Sequence, residues 1–244
     1  MNLKVIGTGS TGNAYLLYNK EEVLLIECGV VIRKIKEALN FDFSKVVGCL
    51  VSHEHGDHNK AIKDVLSAGI KVYASQGTLY ASGVIEHHNA HVVQSKGMYQ
   101  IGNFKVIPFD IRHDVKEPQG FLIQHPECGV TLFLTDTFYS PYKFNGLNNL
   151  IIEANFCEDI IDQKLKFDRK FLRDRILKSH LSIQKCIDLL NSNDLSAVNQ
   201  IVLIHLSDSN SNEIEFQKKV QEATGKNTVV AHNGLDIPFN KTPF

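Results

Sequence analysis

The chain has 244 residues, of which 43% are apolar and 22% are charged, and its formal net charge is −1 at pH 7. This length and apolar content suffice for a buried core, and we expect a single domain over residues 1–244. The nearly balanced charge excludes a global positive field that would attract nucleic acid or anionic lipid, so any such attraction must be local.

The five cysteines lie far apart and form no CxxC pair, which argues against a disulfide framework or a thiolate zinc site. No apolar run approaches the ~18 residues that a membrane-spanning helix needs, and the first residues lack the apolar segment of a signal peptide. We therefore expect a soluble, cytoplasmic protein without membrane contact. The sequence makes no prediction of its oligomeric state.

Short apolar runs separated by glycine-rich or charged turns predict that the chain begins with a strand, a hairpin and a further strand. These runs are Leu3–Ile6, Ala14–Leu17 and Val23–Ile26. Amphipathic patterns predict helices at Ile32–Leu39 and Ala61–Ala68. Between them, Val46–Val51 is continuously apolar, as expected for a strand that is covered on both faces.

The remainder of the chain continues this alternation. Strands are predicted at Lys71–Tyr73, in a β-rich block with turns at Gly97, Gly102 and Gly120, at Gly129–Thr135 and at Val198–Leu206. Helices are predicted at Asp168–Lys178, Ile183–Asn191 and Glu213–Glu222. Strands alternating with helices, together with antiparallel hairpins, predict an α/β (α+β) fold, a four-layer αββα sandwich of two mixed β-sheets.

The segment Gly7–Gly12 satisfies the GxGxxG pattern of dinucleotide-binding proteins. Its context excludes that interpretation, because the ten residues before the next apolar run cannot hold the helix of a parallel crossover. A glycine-rich loop can still bring backbone amides close to an anion, and Ser10 and Asn13 are candidate substrate ligands there. A plain turn is the alternative.

The segment His53-Glu54-His55-Gly56-Asp57-His58 follows a predicted buried strand and precedes a predicted helix. In an extended segment, residues i and i+2 point the same way, so His53 and His55 can bind one cation together. A tight reversal at Gly56 would bring Asp57 and His58 to a second cation. Imidazole and carboxylate ligands suit zinc, and also manganese or iron.

Three further candidate ligands stand at later strand ends: His113, Asp136 and His205. Loops at one edge of a sheet converge in space, so these residues can complete the same centre. A lone histidine at a strand end is otherwise an ordinary polar residue. The other histidines, His87, His88, His91, His125 and His232, are predicted to be surface or structural residues.

The series HxHxDH, His, Asp, His resembles the metallo-β-lactamase superfamily over nearly the whole chain. The resemblance implies that His53, His55 and His113 hold one divalent metal ion and that Asp57, His58 and His205 hold the other. Asp136 would bridge them, and a water between the ions would be the nucleophile. Asp57 would orient or deprotonate that water.

Two more segments resemble the YycJ/WalJ-type hydrolases, which are related to the tRNA 3′-processing nucleases: Glu153-Ala154-Asn155 and Ser179-His180-Leu181-Ser182. The resemblance implies that His180, held by Glu153, donates a proton or hydrogen bond to the scissile phosphate, with Ser182 as a substrate ligand. The alternative is a helix-capping Ser182 beside an incidental histidine. At Glu27 the family commonly has aspartate. This departure puts in question the support of the loop His53–His58, which we call the metal loop.

We therefore expect a metal-dependent phosphodiesterase that acts on nucleic acid. The resemblance implies a DNA exonuclease-like enzyme. A locally basic stretch before His180 is consistent with a contact to a nucleic-acid backbone, although a solvated helix face is the alternative. Its members are Lys164, Lys166, Arg169, Lys170, Arg173, Arg175 and Lys178. A small-molecule hydrolase of a cyclic phosphodiester, thioester or lactone, and a non-catalytic metal-stabilised adaptor, are the competing hypotheses.

Overall fold

A computed structural model describes residues 1–164 and 170–243, and its strands form two seven-stranded sheets. The first sheet contains β1 (Asn2–Gly7), β2 (Ala14–Tyr18), β3 (Val23–Ile26), β4 (Val46–Leu50), β5 (Val72–Ala74), β6 (Ala90–Val92) and β14 (Asp236–Pro238). The second contains β7 (Tyr99–Ile101), β8 (Phe104–Asp110), β9 (Gln119–His125), β10 (Gly129–Leu134), β11 (Leu147–Glu153), β12 (Gln200–Ile204) and β13 (Thr228–Val230).

Both sheets are mixed, as the sequence predicted. The first has the order β14-β1-β2-β3-β4-β5-β6, with antiparallel pairing up to β3 and parallel pairing from β3 to β6. The second has the order β13-β12-β11-β10-β9-β8-β7, with parallel pairing from β10 to β13 and antiparallel pairing in the remainder.

The described residues contain eight helices: α1 (Ile32–Ala38), α2 (Gly56–Asn59), α3 (Ile62–Ser67), α4 (Gln76–Ala81), α5 (Glu158–Lys164), α6 (Lys170–Ser179), α7 (Ile183–Asn191) and α8 (Glu213–Thr224). The predicted helices α1, α3, α7 and α8 are confirmed to within two residues at each end. The predicted start of α6 at Asp168 lies outside the described residues. The strand β11 and the short elements α2, α4, α5, β13 and β14 were not predicted.

Three apolar clusters define the layers of the fold. In β12, Val202 and Ile204 belong to a cluster shared by both sheets, whereas Ile201 and Leu203 face a second cluster beneath α7 and α8. A third cluster lies between the first sheet and the helices α1, α3 and α4, where Leu25 is fully buried. Because each central strand buries both faces, the strands read as continuous apolar runs, and the layers follow the order αββα.

Strand direction brings the carboxyl ends of several strands to one edge. Since β8 and β10 are both antiparallel to β9, they run in the same direction, as do the parallel strands β10, β11 and β12. The residues that follow these strands, and those that follow β4 in the first sheet, supply the polar side chains described below. Open parallel sheets bind ligands at this edge. Within the described residues, no helix is long and apolar enough to span a bilayer.

A buried polar cluster joins the two sheets at the opposite end. Glu22, which precedes β3, accepts hydrogen bonds from the backbone N–H (2.9 Å) and the side-chain amide (2.8 Å) of Asn103. Its carboxylate also lies 3.0 Å from Nε2 of His125, and both side chains are at most 5% exposed. His125 therefore has the structural role predicted for it. Burial raises the pKa of Glu22, but the bonds from Asn103 and His125 outweigh it and lower the pKa.

We expect Glu22→Ala to lower the free energy of unfolding at pH 7 by about 1–3 kcal/mol, because it leaves the donors of Asn103 and His125 without their acceptor. Urea denaturation measures the change, and Glu21→Ala, at an exposed neighbour, is the control. Because the folded-state pKa of Glu22 is depressed, its contribution is present above the unfolded pKa and is lost as the pH falls through the folded value. A pH-independent difference between the two variants would contradict this assignment.

Candidate metal centre

Three imidazoles converge beyond the carboxyl ends of β4 and β8. His53 Nε2 lies 3.2 Å from His55 Nδ1, which lies 3.1 Å from His113 Nε2. Ligand atoms at ~2.0–2.1 Å from a tetrahedral zinc ion are roughly 3.3–3.4 Å apart, so this three-histidine cluster has the spacing of a single cation site. Nδ1 of His53 lies 2.9 Å from the Ser52 hydroxyl, a contact that fixes the ring and leaves Nε2 for the cation.

A second group, the mixed cluster, consists of Asp57, His58 and His205. Asp57 Oδ2 lies 3.2 Å from His205 Nε2 and 3.5 Å from His58 Nε2. Asp136 stands between the clusters, because its Oδ2 is 3.0 Å from His58 Nε2 and it also groups with His53. Within each cluster, one ligand atom per residue lies within 4.8 Å of the others. The structure thus brings together all seven residues that the sequence selected, and their donor atoms suit a divalent metal.

The loop that carries four of these side chains is held by the backbone of the first hairpin and of the residues after β3. Asn13 N donates to Asp57 O (2.7 Å) and Cys28 N donates to His58 O (2.8 Å). The fit at Gly29 is so close that an added Cβ would lie 1.7 Å from Asp57 O. On its other side, Gly12 has φ +136 and its Cβ would lie 2.4 Å from Gly29 O. The glycines of the GxGxxG segment therefore permit backbone packing under the metal loop.

The reversal at Gly56 differs from the expectation. Gly56 does not adopt a positive φ, and a Cβ added there would meet no atom within 4 Å. The reversal is instead made by the single turn of α2, in which His58 N donates to His55 O (2.9 Å). Four helical residues bring Asp57 and His58 back toward the cluster, so glycine is not required at this position by conformation.

Glu27 supports the metal loop in spite of its extra methylene. Its fully buried carboxylate accepts from Ser52 N (3.2 Å) and lies 3.6 Å from Nδ1 of His58. Its backbone has φ +61. Glu27 therefore supports the metal loop, although the family commonly has aspartate at this position. Asn155, which the sequence did not select, donates from Nδ2 to His205 O (2.7 Å).

Backbone strain is concentrated at this edge. Glu27, Asp136 and His205 follow β3, β10 and β12, and their φ values are 61°, 49° and 55°. A left-handed conformation costs a residue other than glycine on the order of 1–3 kcal/mol, and it persists only where surrounding contacts enforce it. Glu27 is a buried carboxylate, Asp136 stands between the clusters and His205 belongs to the mixed cluster. The left-handed backbone at these three positions therefore orients polar side chains of the site.

Glu153, at the end of β11, holds His180. Its Oε1 lies 2.7 Å from His180 Nδ1, while its Oε2 accepts from Leu181 N (3.1 Å). The same ring nitrogen lies 3.1 Å from Asp136 Oδ1. Burial lowers the pKa of His180, but the charges of Glu153 and Asp136 outweigh it and raise the pKa to about 10. The proton on Nδ1 is therefore directed at carboxylate, and the second ring nitrogen remains for a substrate.

Both clusters border a cavity of about 400 Å³. Its wall consists of Ser10, His55, Gly56, Asp57, His113, Asp114, Asp136, Ile176, Ser179, His180 and His205. Ser10 is exposed at this cavity. Asn13 is buried and uses its side chain on Gly9 and on Asp57 O. Ser182 is buried, accepts from Lys185 N as the cap of α7 and donates to Glu158.

Part of the basic stretch before His180 lies outside the described residues. Lys166 and Arg169 lie outside the described residues, as do the side chains of Lys170 and Arg175. Arg173 lies 2.8 Å from Asp162 and 3.8 Å from Asp174, so its charge is compensated locally. Lys178 is exposed near the end of α6. These contacts favour the solvated helix face among the two interpretations of this segment.

Protonation differs between the clusters. Burial lowers the pKa of His53 well below its usual value and that of His113 to about 4. In the mixed cluster, burial also acts to lower the pKa of His58 and His205, but Asp136 and the other carboxylates near each ring together outweigh it and raise both pKa values. Burial raises the pKa of Asp57, yet hydrogen bonds with His205 and His58 lower it well below its ordinary range. Asp57 is therefore ionised at neutral pH.

Comparison with known proteins gives similar sequences and similar folds. Residues 1–88 match the sequence model of a family described as anti-Pycsar protein Apyc1. The exodeoxyribonuclease WalJ of Streptococcus pneumoniae is 26% identical over 224 residues, which cover 85% of this chain and 82% of the relative. The exodeoxyribonuclease YycJ of Bacillus anthracis is 30% identical over 172 residues, which cover 64% of this chain and 63% of the relative.

Among solved structures, the crystal structure of the metallo-β-lactamase fold protein YhfI from Bacillus subtilis superposes with a TM-score of 0.73. It covers 97% of this chain and 99% of its own, at 16% sequence identity. This similarity concerns the fold. The superposition extends over nearly the whole length of both chains.

We expect Gly29→Ala to displace the metal loop, because the new methyl group cannot occupy the space of Asp57 O. Overpacking of this kind costs about 1–3 kcal/mol or more in unfolding free energy. Thermal unfolding and elemental analysis measure the loss of stability and of bound metal. Gly56→Ala is the matched control, since it adds the same methyl group to the metal loop where no atom lies within 4 Å. Equal metal content in both variants would contradict this packing argument.

We expect cation binding at the mixed cluster to weaken as the pH falls, because His58 and His205 must lose their protons before they coordinate. Binding at the three-histidine cluster should release fewer protons, since burial keeps His53 and His113 neutral. Calorimetric titration in buffers of different ionisation enthalpy, at about pH 6 and pH 8, counts the protons released at each step. Equal release at both steps would contradict the assignment.

Proposed function

This chain is a metal-dependent hydrolase with the metallo-β-lactamase fold, and we propose that it cleaves the phosphodiester bonds of nucleic acid, with DNA as the principal substrate. The observation that carries the proposal is the position of His180, which Glu153 holds at the wall of the cavity that both metal clusters border. A phosphodiester presents the anionic oxygens and the leaving oxygen that such a wall would bind. The similarity to relatives named exodeoxyribonucleases supports DNA and exonucleolytic cleavage.

We propose zinc as the metal and a site for two ions, the first held by the three-histidine cluster and the second by the mixed cluster, with Asp136 shared between them. Manganese and iron suit the same ligands. Divalent ions bound there would lower the pKa of a water molecule and stabilise negative charge on the phosphate. The carboxylates of Glu27, Asp57, Asp136 and Glu153 together carry a formal charge of −4, which two divalent ions match while the histidines that would bind them are neutral.

The side chains around the clusters would divide the remaining tasks. His180 holds its Nδ1 proton toward Glu153 and, through its other ring nitrogen, would donate a proton or hydrogen bond to the phosphodiester. Asp57 is ionised and has a low pKa, which makes it a weak proton acceptor, so we assign it the role of ligand and of orienting water. Ser10 at the cavity wall would contact a phosphate oxygen.

Asn13 and Ser182 are assigned differently from the sequence-based expectation. The side chain of Asn13 is engaged beneath the metal loop, and the hydroxyl of Ser182 caps a helix. We propose that both residues position the site, Asn13 through the backbone of Asp57 and Ser182 through the start of α7.

We expect metal-loaded protein to degrade end-labelled DNA, and His180→Ala to lower kcat by about 10²–10⁴-fold, the range of a general acid. Metal content should not change if the ions occupy the three-histidine and mixed clusters, whereas a loss of metal would point to the further group formed by His180 with Asp136, Glu153 and His205. Asp57→Ala should lose activity together with metal from the mixed cluster. The comparison of 5′- and 3′-labelled single- and double-stranded DNA and RNA decides the nucleic acid and the end from which cleavage proceeds.

His232→Ala, which removes an exposed histidine outside the site, is the matched control. Wild-type protein that leaves all nucleic acids intact at micromolar concentration contradicts the proposal. In that event, turnover of bis(p-nitrophenyl) phosphate or of a cyclic phosphodiester would indicate the small-molecule hydrolase. A preference for acyl substrates would indicate a thioesterase or lactonase. The absence of turnover on every substrate, with folded His180→Ala and Asp57→Ala variants, would favour the adaptor.

A further inference from the structure

A second groove, with a volume of about 550 Å³, lies beside the metal cavity. One wall is the segment after β10, which contributes Phe138, Tyr139 and Tyr142. The other wall is Leu181 and one side of α7, with Lys185 and Asp188. Aromatic rings bordered by cationic side chains are the combination with which proteins bind single-stranded nucleic acid without reading its sequence.

The groove and the metal cavity are lined by residues that are neighbours in the chain. His180 borders the cavity and Leu181 the groove, while Asp136 borders the cavity and Phe138 the groove. Three residues of extended chain span at most about 11 Å, which limits the distance between the backbones of Asp136 and Tyr139. A nucleic-acid strand whose phosphate lies in the cavity could therefore place a neighbouring base in the groove.

Both walls are fixed by the carboxylate that holds His180. Oε2 of Glu153 accepts from Leu181 N (3.1 Å) on one side and from Thr137 N (3.4 Å) on the other. Thr137 then anchors the aromatic segment, since its hydroxyl donates to Tyr139 O (2.8 Å). The groove consequently has a defined position relative to His180.

The aromatic side chains differ in what they contact. Tyr142 packs against Phe109 with ring centroids 5.6 Å apart, and therefore belongs to the framework of the wall. Tyr139 is 56% exposed, which is a large exposed fraction for an aromatic residue whose backbone is anchored. An exposed ring on a fixed backbone offers a face for stacking at a small cost in conformational entropy.

We propose that this groove binds a nucleobase of the substrate strand, about one or two nucleotides from the cleaved phosphate, stacked on the ring of Tyr139. Lys143 and Lys185, at the borders of the groove, contact the sugar–phosphate backbone next to that base. This inference rests on the proposed function and adds to it a residue that determines how the strand is held. Because every base has a π-face, the groove selects single-stranded over paired ends without preferring a sequence.

The test compares Tyr139→Ala with Tyr139→Phe on a labelled single-stranded oligodeoxynucleotide. Stacking contributes about 1–3 kcal/mol per base, so Tyr139→Ala should raise KM by about 5- to 150-fold with a smaller change in kcat. Tyr139→Phe keeps the ring and should remain close to wild type. Tyr80→Ala is the matched control, because Tyr80 is a 70% exposed tyrosine on another part of the surface. Thermal unfolding verifies that each variant is folded.

A second substrate series separates stacking from a general effect of the mutation. In this series one abasic site is moved through the three nucleotides nearest the cleaved bond. At one of those positions, the abasic site should raise the KM of wild-type protein by the same factor by which Tyr139→Ala raises KM on the intact strand. At that position the abasic site should not raise the KM of the Tyr139→Ala variant any further, because a double-mutant cycle gives non-additive effects when the base and the ring interact.

If wild-type protein cleaves the oligonucleotide and Tyr139→Ala has the same KM as wild type, the inference is overturned and the proposed function stands. Additive losses from the abasic site and from Tyr139→Ala also overturn it, because they show that the base and the ring do not interact. Wild-type protein that cleaves no nucleic acid overturns the proposed function and this inference together.

Discussion

The structure depends on the balance of charge at one edge of its two sheets. Four carboxylates and six imidazoles lie there, and most of them are shielded from water. Burying an unpaired charge is costly, so each carboxylate requires a cation or a proton nearby. Without metal, the carboxylates raise the pKa values of His58, His180 and His205 and so favour the protonated, positively charged imidazoles beside Asp136. Divalent cations would take over most of that compensation, which links folding, metal binding and pH.

This arrangement is stabilised from below by backbone contacts. The first hairpin and the residues after β3 donate hydrogen bonds to the carbonyls of Asp57 and His58, at a distance that only glycine at position 29 permits. The cost of left-handed backbone at Glu27, Asp136 and His205 is offset by such contacts and by the burial of the strands that precede these residues. A rigid framework of this kind keeps ligands in place before a cation binds.

Glu153 connects the metal centre with the rest of the cleft. Its carboxylate faces His180 and is 3.6 Å from Nδ1 of His205, and it also accepts from the backbone at Thr137 and Leu181. One buried side chain therefore orients the proposed proton donor and fixes both walls of the neighbouring groove. The residues that would bind a phosphate and those that would bind a base therefore share one anchor.

The sequence by itself determined the types of the candidate ligands, their order and their positions after strands. Periodicity and composition are local properties, so HxHxDH, His113, Asp136 and His205 could be selected, as could the long strands and amphipathic helices. Only the tertiary structure decided how Glu27 reaches Ser52, why Gly29 must lack a side chain and which groove opens beside His180. Three-residue strands and the single turn of α2 carry no periodic signal, and they form because long-range pairing and packing stabilise them. Contacts between residues distant in the chain depend on strand order and direction, which no local pattern specifies.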